Sequence, residues 1–566
     1  MFDSLPVDPE VLKHWTWADF EPYYQDLVQR NITSGQITNF LSDWTRISEA
    51  VEETYSRLHV AMTKNTADKE AEELFHTFLD NVFPPSEEAE QKLKSKLLDL
   101  GTEPPRFEIP LMRMRTDAEI FREENLPLQV REHKLSTEYD KIIGAQTVQW
   151  EGKEVTIVQL RPIFQKTDRS MRENAWRLAM DRQLTDRGAI GDLWQQFMEI
   201  RLQQAANAGF SDYRSFRWKQ YHRFDYTPHD CLRFHEAIER AVVPAAMRVA
   251  ERRKRLLGME SLRPWDMDVD PLGRPPLAPF REVSELKVRV ASMFYNLDET
   301  LGRYFDTMVR EDLLDLDNRK NKAPGGYCTE FAVAKRPFIF MNAVGIHDDV
   351  QTLLHESGHG FHVFERSHLP FHQQHSVGME FSEVASMGME LLASPYLSEE
   401  KGGFYSLADA ARALVEHLEH GIMFWPYMAA VDAFQHWVYV HPEESSLPSN
   451  CDAQWKMLSE RFMPWVDWTG LEQEHITGWQ RKLHIHVVPF YYVEYGIAQL
   501  GAVQVWRNSL KDEAAAVKAY RDSLALGGTV ALPSLFEAAG ARFAFDSDML
   551  GAAVSLMEQK LEKLRQ

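Results

Sequence analysis

The sequence predicts a mainly α fold, and three observations carry that reading. Residues 10 to 140 pass through successive apolar patterns of helical period, such as ADKEAEELFHTFLDNVF and EEAEQKLKSKLLDL. From Ser170 the same periodicity resumes, in MRENAWRLAMDRQL, in ALVEHLEHGIMFWPYMAAVDAFQHWVYV and in the closing MLGAAVSLMEQKLEKLRQ. Strand signals are confined to two short stretches. Near Gln146, TVQW and VTIVQL flank the Gly-containing EGKE, which predicts a two-stranded hairpin over 146–161. PFIFM (Pro337 to Met341) is a short apolar run before Asn342 and Gly345 and reads as a strand that an extended peptide could join by adding one more strand. The Pro-rich segment from Arg263 to Pro279 is the one long loop, expected at the surface.

At 566 residues the chain holds several domain-sized units, yet no repeat or Pro/Ser/Gly-rich linker separates them. Two joined lobes are expected, 1–190 with the hairpin and 191–566. A 44% apolar and 26% charged composition argues against extended disorder. No run approaches 18 apolar residues and the start, MFDSLPVDPE, lacks the features of a signal peptide, so a soluble, cytoplasmic protein is expected. The formal charge of -22 argues against nucleic acid and anionic membranes as partners. Cys231, Cys328 and Cys451 are sparse and odd in number, which fits a reducing compartment and no disulfide framework.

Within the apolar pattern after Asp348, residues His355, Glu356, Ser357, Gly358 and His359 spell H-E-x-x-H. Four residues make slightly more than one helical turn, so both imidazoles share a face and can reach one zinc ion. Glu356 then points toward the open side of that metal, as a base for a water. Asp348 and Gln351 give a capping-box-like start to the helix. Gly358 and Gly360 each cost about 1 kcal/mol relative to Ala in a helix, which implies that something packs closely there.

A hydrolytic zinc needs a third protein ligand and an open position. The stretch VGMEFSEVASMGMELLAS, Val377 to Ser394, has helical spacing and carries Glu380, Glu383 and Glu390 on related faces. Glu383 is the expected ligand, with Glu390 orienting a histidine behind it. His362 lies seven residues beyond His355, about 10 Å along the helix axis, and is the weaker competitor. His368, His372 and His375 read as loop histidines.

HESGH followed by FSEVASMGMELL resembles the zinc metallopeptidases of the oligoendopeptidase F and thimet oligopeptidase type, particularly the bacterial oligoendopeptidase branch. RPFIFMNAVG, VDAFQHWVYVHPE and HIHVVPFYYVEYGIAQLGAVQVW extend the similarity over roughly residues 190 to 566. The resemblance implies a two-lobed helical fold with a deep channel that admits short unfolded peptides. It implies one zinc held by His355, His359 and Glu383, with Glu356 as base and later proton donor. It also implies that His484, Tyr492 and Tyr495 steady the tetrahedral intermediate, with His486 and Tyr491 close by. Pro489 suits the first turn of a helix, which would set Tyr492 and Tyr495 on one side of it. The expected activity is cleavage of internal peptide bonds in oligopeptides. A metallocarboxypeptidase or dipeptidase, or a zinc-stabilised peptide-binding protein without turnover, is the alternative.

Overall fold

The computed structural model describes residues 1–565. Helices carry most of the chain, as the periodicity predicts, and no helix among the described residues is long and apolar enough to cross a membrane. The N-terminal helices, among them Trp17–Gln29, Ile37–Lys64, Lys69–Asn81 and Phe83–Asp99, enclose a core of their own around Tyr24, Trp44, Phe75 and Leu93. A second, larger core spans Trp194 to Leu561, and Val60 and Ile120 join it from the N-terminal helices. The expected boundary at 190–191 falls inside the helix Arg187–Asn207.

Two sheets interrupt the helices. The hairpin pairs β1 (Thr147–Trp150) with β2 (Lys153–Thr156), Glu151 and Gly152 turning at positive φ. Its second strand stops at Thr156, because Val158–Leu160 winds into a 3₁₀ turn. The other sheet has the order β3 (Leu314–Asp317), β5 (Arg336–Ala343), β4 (Tyr327–Phe331). β5 contains PFIFM and is central, parallel to β3 and antiparallel to β4. Both of its edges are therefore taken, and a peptide cannot add to it; only an outer strand offers free backbone.

The N-terminal lobe is tied to this sheet. From helix Ile37–Lys64 the buried Glu53 carboxylate accepts the backbone N–H groups of Val333 at 2.9 Å and Ala334 at 3.2 Å, in the turn between β4 and β5. Nearby, the hydroxyls of Thr63 and Tyr327 lie 2.6 Å apart.

β5 leads through Gly345, at φ +91°, into helix His347–Arg366. The cap differs from the expected Asp348 with Gln351. Asp349 accepts the N–H groups of Val344, Gly345 and Ile346 at 2.7 to 2.9 Å, while Asp348 turns outward to pair with Arg161 at 2.7 Å. A carboxylate one residue further along reaches three free donors at once and prevails. Helix Met379–Leu392 packs against His347–Arg366 so tightly that a carbon added at Gly358 would sit 2.4 Å from the Ala385 carbonyl oxygen. Helix Tyr492–Ser509 closes on the other side of Met379–Leu392, where Gly501 meets Val384.

Candidate metal centre

These three helices bring His355, His359 and Glu383 together, their ligand atoms all within 4.8 Å of one another. His355 Nε2 lies 3.2 Å and His359 Nε2 3.5 Å from Glu383 Oε2. Donors about 2.0–2.2 Å from a tetrahedral ion stand about 3.3–3.6 Å apart, so the spacing is close to that of two edges of a zinc tetrahedron. The hydrogen bonding points the same way. His355 Nδ1 lies 2.7 Å from Glu390 Oε1, so that nitrogen carries the hydrogen. Its Nε2 then presents a lone pair to an anionic oxygen, which is repulsive unless a cation or a proton sits between them. Without a cation, a proton supplies that charge. Although burial opposes it, the carboxylates of Glu383 and Glu390 raise the His355 imidazole well above its ordinary range. Burial works on Glu383 in the opposite sense, yet His359 and His355 hold its carboxyl well below the usual value. A metal held by these three donors would take the place of that proton.

Glu383 is held from behind as well. Ser386 donates to Oε2 at 2.7 Å and the Tyr491 hydroxyl donates to Oε1 at 2.5 Å. The sequence sets Tyr491 only close by the residues expected to steady the intermediate, and its bond to Glu383 is not part of that expectation. Replacing Tyr491 with Phe is expected to weaken metal binding about tenfold to a hundredfold, since outer partners orient the ligand. Competition with a chelator measures this, and an unchanged affinity would remove Tyr491 from the site. Glu380 is elsewhere, accepting from Tyr226 at 2.5 Å. His362 is buried beside Phe381 and takes no part in the donor set. His372 and His375 face Glu49, apart from this centre, and His368 Nδ1 lies 2.8 Å from the Glu365 carbonyl.

Glu356 is buried, and its Oε2 has no hydrogen-bond partner. An anionic oxygen out of water and unpartnered is costly, and functional sites are where such groups persist. Burial pushes its carboxyl up, toward the range where a base works near neutral pH. Gly326, immediately before β4, lies against it; a carbon added there would come within 3.3 Å of Glu356 Oε1. The outer strand beside the metal centre is thus β4, entered through Gly325 and Gly326.

His484 Nε2 lies 3.2 Å from the Tyr495 hydroxyl, and the rings of Tyr495 and His355 are 6.4 Å apart. Burial and the neighbouring Lys482 hold His484 neutral, well below its ordinary pKa. Tyr492 stacks edge-on to both His484 and Tyr495 at 5.1 and 5.3 Å. His486 is a core residue, stacked on Tyr139 and Trp479. Pro489 falls in the turn between helices Leu483–Val487 and Tyr492–Ser509, rather than in a first helical turn, and Phe490 at φ +67° reverses the chain there. The reversal brings Tyr491 to Glu383 and Tyr495 to His484. A cavity of about 820 Å³ joins Gly326, Glu356, His484, Tyr492 and Tyr495, and the Pro-rich loop contributes residues between Met267 and Arg274.

Residues 163–554, well over half of the chain, match the family described as Peptidase family M3. The chain belongs to peptidase family M3. Oligopeptidase PepF of Bacillus subtilis (strain 168) is 24% identical over 279 residues, which cover 47% of this chain and 39% of that protein. The match thus spans about two-fifths of the curated relative. An X-ray structure assigned as oligoendopeptidase F superposes with a TM-score of 0.91 at 25% identity, covering 99% of this chain and 98% of its own. PZ peptidase A, solved with an inhibitor, gives 0.90 at 25% identity over 100% and 99% of the two chains. A structure assigned as oligoendopeptidase F from Bacillus anthracis str. Ames shares the fold, with a TM-score of 0.85 at 23% identity over 98% and 96%. The mainly α architecture is thus shared with solved peptidase structures over nearly the whole chain.

Proposed function

We propose that this M3 chain is a zinc-dependent oligoendopeptidase that hydrolyses internal bonds of short unfolded peptides. One observation carries the reading: three donors with tetrahedral spacing stand next to a buried carboxylate oxygen that nothing in the protein engages. His355, His359 and Glu383 would hold one zinc ion, and Glu390 and Tyr491 would orient two of them. When bound, the metal supplies Lewis-acid polarisation of the scissile carbonyl and of water. Glu356 takes a proton from the attacking water on its free Oε2 and delivers it to the leaving amine. With His484 Nε2 as the donor to it, the Tyr495 hydroxyl would be free to donate to the developing oxyanion. Tyr492 fixes both rings by packing. A donor of this kind lowers the barrier by about 3–4 kcal/mol. The backbone of β4, with Gly326 just before it, is the edge on which an extended peptide would lie.

Metal analysis together with mass spectrometry of a digested peptide pool, with and without chelator, tests the reading. The expected result is one zinc per chain and chelator-sensitive cuts within peptides of about ten residues blocked at both ends. Cuts restricted to free termini would replace it with an end-directed peptidase. The absence of cuts would leave a peptide-binding protein.

A further inference from the structure

Lys482 lies in the wall of the cavity, two residues before His484. Its ammonium stands 4.1 Å from the centre of the Tyr492 ring and 5.4 Å from that of Tyr427. The arginines of the same cavity have counter-charges: Arg161 meets Asp348 at 2.7 Å, Arg274 and Arg412 both meet Asp270 at 2.7 Å, and Arg253 meets Glu419 at 3.7 Å. Arg252 and Arg565 also lie against Glu419. Among the described residues, none offers Lys482 a carboxylate. Burial alone, with no charge to offset it, pulls its pKa to about 7.

A half-buried ammonium without a counter-ion still loses part of its hydration, and two aromatic faces recover only some of that cost. The missing partner therefore has room to come from a bound molecule. Tyr492 packs on Tyr495 and Tyr495 on His355, so Lys482 stands two aromatic rings along the cavity from the candidate metal ligands. An extended peptide advances about 3.3–3.6 Å per residue, which places Lys482 within a few residues of a bond held at the metal centre.

We infer that Lys482 is a specificity residue that takes a carboxylate of the bound peptide, either the C-terminal α-carboxylate or an Asp or Glu side chain. The inference rests on the peptidase reading for the identity of the ligand. It runs against the -22 charge of the whole chain, which disfavours acidic peptides at long range and makes this lysine a local exception.

Two matched peptide pairs test it with the zinc-loaded enzyme, one differing by C-terminal acid against amide, the other by Glu against Gln at one internal position. Each pair is compared in wild type, Lys482→Met and Lys482→Arg, by kcat and KM, and by equilibrium binding to the same three forms carrying Glu356→Gln. The wild type is expected to prefer the carboxylate member of one pair by about ten- to a hundredfold, in KM and in affinity. Lys482→Met should bring that ratio to about one, and Lys482→Arg should restore most of it. Loss in the first pair identifies the α-carboxylate, and loss in the second the side chain. Equal ratios in wild type, or a ratio that Lys482→Met leaves intact, overturn the inference. Carboxylate-dependent binding without cleavage of either pair would instead refute the peptidase reading and leave the assignment of Lys482 standing.

Discussion

Replacing Glu356 with Gln is expected to lower kcat/KM for every cleaved peptide by about 10²–10⁴-fold while one metal per chain stays bound. The substitution keeps the shape of the side chain and removes only its capacity to take a proton. Its position makes the effect separable from damage to the fold. Oε2 has no partner to lose, and the residue belongs to none of the donor contacts around Glu383. Steady-state kinetics with metal analysis of the same preparation checks both halves of the expectation. Turnover retained within tenfold of wild type would assign the base to another group.

Glu383→Ala should act one step earlier, by removing the metal. It deletes one of three donors and leaves His355 and His359 without the anion that faces both of them. The loss of affinity should therefore exceed the tenfold to hundredfold expected for Tyr491→Phe. The half-buried Tyr491 hydroxyl would also lose its acceptor, an added cost of about 1–3 kcal/mol, while Ser386 keeps the Glu383 carbonyl oxygen at 2.9 Å. Atomic emission on dialysed protein, with the unfolding midpoint, measures the two consequences. Stoichiometric zinc in this variant would sink the proposed ligand set.

The parts of the site legible in the sequence are those fixed by local periodicity. H-E-x-x-H needs only one helix to place its imidazoles, and the i, i+3 and i, i+7 spacing of Glu380, Glu383 and Glu390 reduces the third donor to three candidates. The mainly α class was legible for the same reason. Family resemblance, rather than spacing, pointed to His484 and Tyr495. What stayed hidden depends on tertiary reversals. PFIFM reads as a strand, but nothing local says that β3 and β4 occupy both of its sides. Tyr491 and Tyr492 are adjacent and chemically alike. Which of them reaches Glu383 is decided by the left-handed turn at Phe490, where a bulky residue adopts a conformation that its type disfavours. The choice between Asp348 and Asp349 was equally hidden, because it depends on an arginine 187 positions away.

The contact of Gly358 with Ala385 bears on which ions the protein accepts. It fixes how far the imidazole-bearing helix can stand from the one that carries the carboxylate, with backbone rather than side chain as the stop. Neither helix can move inward, and a larger cation such as Ca²⁺, with bonds of about 2.3–2.6 Å, would have to wedge them apart against a packed interior. Discrimination by ionic radius would then be set by a residue that never touches the ion.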